Sequence, residues 1–511
     1  MHRVGQGSLR DGRPATKAAS APRSPPLSLI WFTLSHGVLN EIYYPRVDQA
    51  CTRDFGLLVA DGHGFFAEEK RDTFSEVSRF VDGVPAFALR NTHATATGEP
   101  PRFRIHKRII ADPRREVVLQ DIRLENLGPT PLQLYALLAP HLVNGGNNNR
   151  AWIGDYKGQP MLFAEGHGTS LALACSRPWL ARSVGFTGIS DGWQDISRHF
   201  RMEWSYDRAM DGNVALTGQL PADDHTVLAL GFGRSPAEAA YRARSSLLDD
   251  FDTLADEYTR NWRGWQAGLR PLDRHCRGHN TYRISTAVMR AHESPSFPGG
   301  LIASLSIPWG AAKGDDDLGG YHLVWPRDLV ETAGGLLAAG ADAEAIRVLD
   351  YLRATQEPDG DWPQNAWLDG TPYWGGVQMD ECAFPILLVE MALRLGALPA
   401  ARAGEYWPMV RAAAGFVVRN GPVPGRTGGR KMPATPRSPS RSKSRPYSPP
   451  PSLPSRTTRR PRRSCARRPT PGTTRSRAGP TRAGRGWPPQ PARMAFTSAS
   501  PPPSCRWRRP T

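Results

Sequence analysis

The chain has 511 residues and carries 65 Lys and Arg residues against 48 Asp and Glu residues, a formal net charge of +17. This length allows two or three domains with a large core, and no apolar run approaches the roughly 18 residues that a membrane-spanning helix needs. Six scattered cysteines show neither the pairing nor the spacing of a disulfide framework or a zinc site. We therefore predict no metal, no cofactor and no membrane partner.

Residues 1–29 have no core-forming pattern and no apolar signal segment, which predicts a cytoplasmic protein. Residues 30–234 are predicted to form an antiparallel β-sandwich. Residues 103–109 alternate apolar with basic side chains, as a half-buried strand does, and Asp112-Pro113 turns the chain into a second β-rich run. Gly, Asn and Asp clusters separate such runs, a pattern typical of two packed sheets. The other β-rich runs are 116–124, 132–135 and 225–232.

The periodicity becomes helical at Ser235. Ser235-Pro236-Ala237-Glu238 is a capping box with Pro at the first helical position, and it predicts a helix to about Arg260 within a helical linker, residues 235–275. Residues 276–425 are predicted to form the first part of an (α/α)6 toroid, in which loops at one rim carry the chemistry. The helices predicted there are 283–292, 329–339, 343–355, 382–395 and 404–419.

Two loops of this helical part carry the residue types of a sugar-binding site. They are residues 320–328 and 362–381, and each combines indole rings with Asp, Arg and Gln at a predicted helix start. The C–H faces of a hexose stack on Trp, and its hydroxyl groups exchange hydrogen bonds with Asp, Arg and Gln. The alternative interpretation is a pair of Trp-rich loops packed between helices, with Arg327 and Asp328 forming a local ion pair.

The segment from about Trp31 to Asn420 resembles the bacterial glucoamylase family, glycoside hydrolase family fifteen, which has glucodextranases and some trehalases as relatives. Residues 31–37, 40–46 and 48–54 are similar to the opening of its N-terminal sandwich domain. The pattern Tyr-x-x-x-Trp-x-Arg-Asp resembles the family's clamp on the non-reducing glucose, and Trp-Gly-x-x-Gln-x-Asp resembles a second wall of that pocket. The substrate-binding residues that the resemblance implies are Tyr321, Trp325, Arg327, Asp328, Trp374, Gln378 and Asp380.

The resemblance also implies a reaction, the inverting hydrolysis of terminal α-linked glucose from malto- or isomalto-oligosaccharides. Inversion uses a carboxylic acid and a carboxylate about 6.5–9.5 Å apart. The position of the family's acid falls near Gly428 and that of its base beyond Thr511, while Glu381 aligns with the pocket wall. We therefore assign no catalytic residue and predict a glucoamylase-like hydrolase of α-glucan oligosaccharides that is inactive as written, with glucodextranase or trehalase specificity as alternatives within the family. The alternative from another class is a non-catalytic carbohydrate-binding protein.

The last 91 residues contain 22 Lys and Arg but no Asp or Glu, which leaves 43 basic against 48 acidic residues before them. Their Pro, Arg, Ser and Thr content predicts a disordered tail, and it is also what G+C-rich DNA yields out of frame. The neighbouring frame of residues 426–437 permits D-R-W-E-E-D-A-G-Y-S-P, which contains the Arg-Trp-Glu-Glu motif of the family's acid. We predict that residues 1–29 and 426–511 are out of frame.

The competing interpretation treats the tail as a basic scaffold that binds nucleic acid through its phosphates. Its few aromatic residues are too widely spaced to stack successive bases. No specific nucleic-acid partner is therefore predicted, and the oligomeric state carries no sequence signal.

Overall fold

The computed structural model describes residues 29–95, 99–223, 225–305 and 320–421. The frameshift and disorder predictions apply to residues 1–29 and 426–511, which lie outside these ranges except for Leu29. No helix within the described ranges is long and apolar enough to cross a membrane.

Two antiparallel sheets form the N-terminal part, which confirms the predicted sandwich. Their strands are β1 (Trp31–Ser35), β2 (Val38–Tyr43), β3 (Thr52–Ala60), β4 (Phe66–Glu68), β5 (Thr73–Arg79), β6 (Phe87–His93), β7 (Phe103–Ala111), β8 (Val117–Asn126), β9 (Gln133–Pro140), β10 (Asn149–Tyr156), β11 (Gln159–Gly166), β12 (Thr169–Cys175), β13 (Ala181–Phe186), β14 (Arg208–Gly212), β15 (Val214–Leu220) and β16 (Thr226–Gly233). One sheet has the order β1-β2-β3-β9-β15-β13, with β4 paired to β3, and the other has the order β14-β10-β11-β12-β16-β8-β7-β6-β5.

The core between the sheets follows from the alternation of side chains along each strand. In β7, Phe103, Ile105 and Ile109 are fully buried in the main apolar cluster of the sandwich, as the pattern predicted. Strand β3 instead ends in a continuous apolar run, since the outer face of its sheet is covered as well. That cover is a short helix, α1 (Gly192–His199), which packs Ile196 against Leu58 and which the sequence analysis did not predict.

The helix predicted from Ser235 to Arg260 is in fact two helices, so that prediction is wrong in its length. The two helices are α2 (Pro236–Leu247) and α3 (Phe251–Ala267). The Ser235 side chain caps α2 by accepting from the Glu238 N–H, as predicted. Asp250 then takes an extended backbone and accepts from the Thr253 N–H, which starts α3. Both helices pack on the outer face of the nine-stranded sheet.

The remaining helices confirm the five that were predicted, with boundaries that shift by at most a few residues. They are α4 (Thr281–Ala291), α5 (Pro326–Ala339), α6 (Asp342–Thr355), α7 (Met379–Arg394) and α8 (Ala403–Asn420). A two-stranded sheet, β17 (Asn365–Ala366) and β18 (Pro372–Trp374), lies in the loop between α6 and α7. Gly340 ends α5 at φ +81°, a left-handed conformation that glycine adopts at little cost.

The core of the helical part includes side chains from the sandwich. Trp31, Tyr43, Val47 and Ala50 belong to the same buried cluster as the apolar residues of α5 and α6. All four come from β1, β2 or the segment that follows β2. The start of the sandwich is thus packed into the core beneath the two predicted sugar-binding loops.

Candidate functional site

The two predicted loops meet where α5 and α7 begin. Trp325 is the residue before α5, and Gln378 is the residue before α7. Each loop therefore delivers its side chains at a helix N-terminus, as the sequence predicted. Unpaired backbone N–H groups give such ends a partial positive charge, which favours carboxylates in the first turn. Asp328 and Asp380 occupy those positions.

Arg327 joins the two loops. Its Nη1 atom donates to Gln378 Oε1 at 2.8 Å and to Asp380 Oδ2 at 2.9 Å. Its Nη2 atom lies 3.4 Å from Asp328 Oδ2. The local ion pair of the alternative interpretation is thus present, but it is longer than both contacts across the loops. About 29% of the Arg327 side chain remains exposed, so the guanidinium group can also meet a ligand from solvent.

Three aromatic rings extend from this charged cluster. The rings of Tyr321 and Trp325 are nearly parallel, with an interplanar angle of 20° and centroids 6.3 Å apart. The ring of Trp374 meets Trp325 edge to face at 5.7 Å. Tyr321 is 52% exposed. Exposed rings beside a cluster of hydrogen-bonding groups can stack on a sugar and grip its hydroxyl groups at the same time.

The structure therefore brings all seven predicted residues together. The Asn365 side chain adds to this arrangement, since its Oδ1 atom accepts from the Trp374 backbone N–H at 3.0 Å. Trp362, at the start of the second loop, is different. It is buried in the helical core and donates to the Leu352 carbonyl, so for this residue the packing interpretation holds.

Glu381 supplies a contact that sequence reasoning missed. Its Oε2 atom accepts from the Arg327 backbone N–H at 2.5 Å, and its Oε1 atom lies 3.3 Å from Arg327 Nη1. The Trp325 indole cannot accept a hydrogen bond and Pro326 has no N–H, so α5 receives its cap from α7. No local signal could reveal this cap, because its two residues are 54 positions apart.

Burial shapes the chemistry of Glu381. The side chain is fully buried, and this desolvation raises its pKa to about 8, although the Arg327 backbone N–H and guanidinium oppose the rise. A carboxyl group in this position acts on the candidate site residues through Arg327 and lies away from solvent.

Comparisons with known proteins give the family of this chain. The family described as glucodextranase, domain N, matches residues 13–267, which include the sandwich, α2 and α3. A glucoamylase from Clostridium sp. (strain G0005) is 33% identical over 404 residues, which are 78% of this chain and 55% of that protein. The solved structure of a bacterial glucoamylase complexed with acarbose superposes with a TM-score of 0.73 at 33% identity, over 79% of this chain and 58% of that one.

The chain belongs to the bacterial glucoamylase family. It spans a little more than half the length of both glucoamylases. The fold of the sandwich and of the first toroid helices is accordingly that of a glucoamylase, as the sequence predicted.

Because Glu381 is buried in this glucoamylase-family fold, the free energy of unfolding should fall between about pH 5 and pH 8. The folded pKa is about 8 against an ordinary value of 4.5, so over this interval the folded state binds more protons than the unfolded chain. The stabilising contribution of Glu381 is complete below its ordinary pKa of 4.5 and is lost as the pH rises through its folded-state pKa of about 8. The free energy of unfolding then changes by at most about 1.4 kcal/mol per pH unit. Urea unfolding of the Glu381→Gln variant should show a flatter pH dependence than the parent chain.

The matched control is Glu390→Gln, on an exposed face of the same helix. This variant should keep the parent pH dependence. Equal slopes for the parent chain and Glu381→Gln would contradict the assignment.

Proposed function

We propose that the side-chain cluster around Arg327 binds the non-reducing terminal glucose unit of an α-glucan oligosaccharide. The observation that carries this proposal is the bridge from Arg327 to Gln378 and Asp380, which lies beside the ring of Trp325. One side chain thereby organises hydrogen-bonding groups from both loops next to an aromatic surface. The related bacterial glucoamylase whose structure is a complex with acarbose supports an oligosaccharide as the ligand class.

For the complete fold we propose the family's reaction, the removal of terminal α-linked glucose with inversion. For this chain we propose binding without turnover. Asp328 and Asp380 are tied to Arg327, and Glu381 is fully buried behind it, so we assign none of these three carboxyl groups as the general acid. Malto- and isomaltooligosaccharides are the substrate classes we propose, and trehalose is the alternative to compare.

Titration calorimetry with acarbose and with maltotriose tests the proposal. We expect saturable binding of the sugar and no release of glucose. Replacing Trp325 by Ala should weaken binding about tenfold or more, since it removes the ring shared by Tyr321 and Trp374. Trp407→Ala, which removes a largely exposed indole on α8, should leave the affinity unchanged.

Two results would contradict the proposal. The first is a parent chain that binds neither sugar. The second is glucose release from maltose that the Glu381→Gln variant abolishes, because Glu381 would then be a catalytic acid. The predicted basic scaffold concerns residues outside the described ranges, and no described contact favours it.

A further inference from the structure

We propose that Tyr43, a residue of the sandwich, positions the first sugar-binding loop through His322. The inference rests on the proposed sugar-binding function and adds a residue from a different part of the fold. The Tyr43 hydroxyl lies 2.9 Å from His322 Nε2, and the two residues are 279 positions apart in the chain. Their rings also meet edge to face, with centroids 5.3 Å apart. Both side chains are buried.

The contact bears on the pocket because of where His322 lies. It follows Tyr321 directly and precedes Trp325 by three residues, so it is flanked by the two stacked rings. The backbone here is held from other directions. The carbonyls of Tyr321 and Leu323 accept from the Ser304 and Ala303 N–H groups at 2.9 Å and 2.8 Å. Those bonds fix the path of the main chain, whereas Tyr43 fixes a side chain between them.

The second loop is tied to the same stretch of the sandwich. Asp48 Oδ2 accepts from the Leu368 backbone N–H at 3.3 Å, and Arg46 lies 3.3 Å from Asp369. Arg46 and Asp48 are themselves paired at 2.6 Å. Tyr43, Arg46 and Asp48 thus contact both loops, which are also bonded to each other between Val324 and Ala366.

The chemistry of Tyr43 suits a fixed support. Complete burial raises the pKa of its phenol well above the ordinary value of 10.0, with a further contribution from Glu41. The hydroxyl therefore keeps its proton over the whole range in which the protein would be assayed. Tyr43 is a positioning residue, since its described contact is with His322 and it would act on a sugar only through the loop.

The test compares Tyr43→Phe with Tyr44→Phe in the full chain. Tyr44 is an adjacent buried tyrosine whose hydroxyl accepts from Arg242 of α2 at 3.2 Å, remote from both loops in sequence. Acarbose affinity is measured by titration calorimetry, and amide hydrogen exchange is measured without any sugar. For Tyr43→Phe we expect an affinity about fivefold weaker and faster exchange at residues 321–325. Tyr44→Phe should match the parent chain in both measurements.

The two measurements separate this inference from the function on which it rests. If the parent chain fails to bind acarbose, the proposed function is wrong, and faster exchange in Tyr43→Phe alone would still support the positioning role. If the parent chain binds and Tyr43→Phe has parent affinity or parent exchange, the inference is overturned. Equal losses in both tyrosine variants would also overturn it, because they would indicate general destabilisation.

Discussion

Replacing Lys107 by Met should lower the free energy of unfolding by about 3 to 5 kcal/mol. Lys107 Nζ lies 2.7 Å from Glu69 Oε1 in an ion pair with no exposed side-chain surface on either partner. The same Nζ atom donates to the Gly37 carbonyl at 2.8 Å. Without the ammonium group the Glu69 carboxylate would remain in the sandwich core with no counter-ion. An uncompensated buried charge of this kind is among the most destabilising changes in a protein.

Urea unfolding followed by circular dichroism measures this loss. The matched control is Arg90→Met, which removes a cross-strand ion pair with Glu76 in the same nine-stranded sheet, where both partners are at least half exposed. That change should cost less than about 1 kcal/mol. A double variant, Lys107→Met with Glu69→Gln, should recover part of the stability, because the neutral amide oxygen can still accept from the Leu57 N–H. A loss for Lys107→Met no larger than that for Arg90→Met would refute the argument.

Replacing Arg327 by Met should weaken acarbose binding about 100-fold, or by roughly 3 kcal/mol. The change removes the charged donor that orients Gln378 and Asp380. It also leaves Asp328 and Asp380 without the cation between them. The acarbose affinity of Arg327→Lys should lie between those of the parent chain and Arg327→Met. An ammonium group keeps the charge but lacks the planar guanidinium group that reaches both partners.

Titration calorimetry gives the affinities, and thermal unfolding shows that each variant is folded. Arg394→Met on the exposed side of α7, where Arg394 pairs with Glu390, serves as the control and should bind like the parent chain. If Arg327→Met binds acarbose with an affinity within threefold of the parent value, Arg327 does not belong to the binding site.

The fold was largely predictable because local patterns determine it. The alternation in β7 and the capping box at Ser235 are both local, and both predicted elements are present. Lys107 shows the limit. It shares the inward face with Ile105 and Ile109, yet the run was interpreted only as apolar residues alternating with basic ones. Its partner Glu69 follows β4 of the other sheet, and only the packed structure shows that the pair meets.

The grouping of the candidate site residues was predictable for a related reason. Residue spacing at two helix starts, together with the family resemblance, selected seven residues that do lie together. The residues that hold these side chains in place are distant from them in the chain, so no local sequence pattern reveals them. Glu381 reaches back to Arg327, and Tyr43 reaches forward to His322. The start of α3 at Asp250 was missed, although Asp is a preferred N-cap residue and its side chain accepts from the Thr253 N–H.

The packing of Trp31, Tyr43, Val47 and Ala50 into the helical core has a consequence for synthesis on the ribosome. The last strand of the sandwich ends at Gly233, and His322 emerges 89 residues later. At about 5 to 20 residues per second, that interval lasts roughly 4 to 18 s. During this interval the apolar surface formed by these four residues stays uncovered. A chaperone could bind to it, and a neighbouring nascent chain could associate with it. Slower translation of the segment between α3 and α5 would lengthen this exposure and should lower the yield of folded protein.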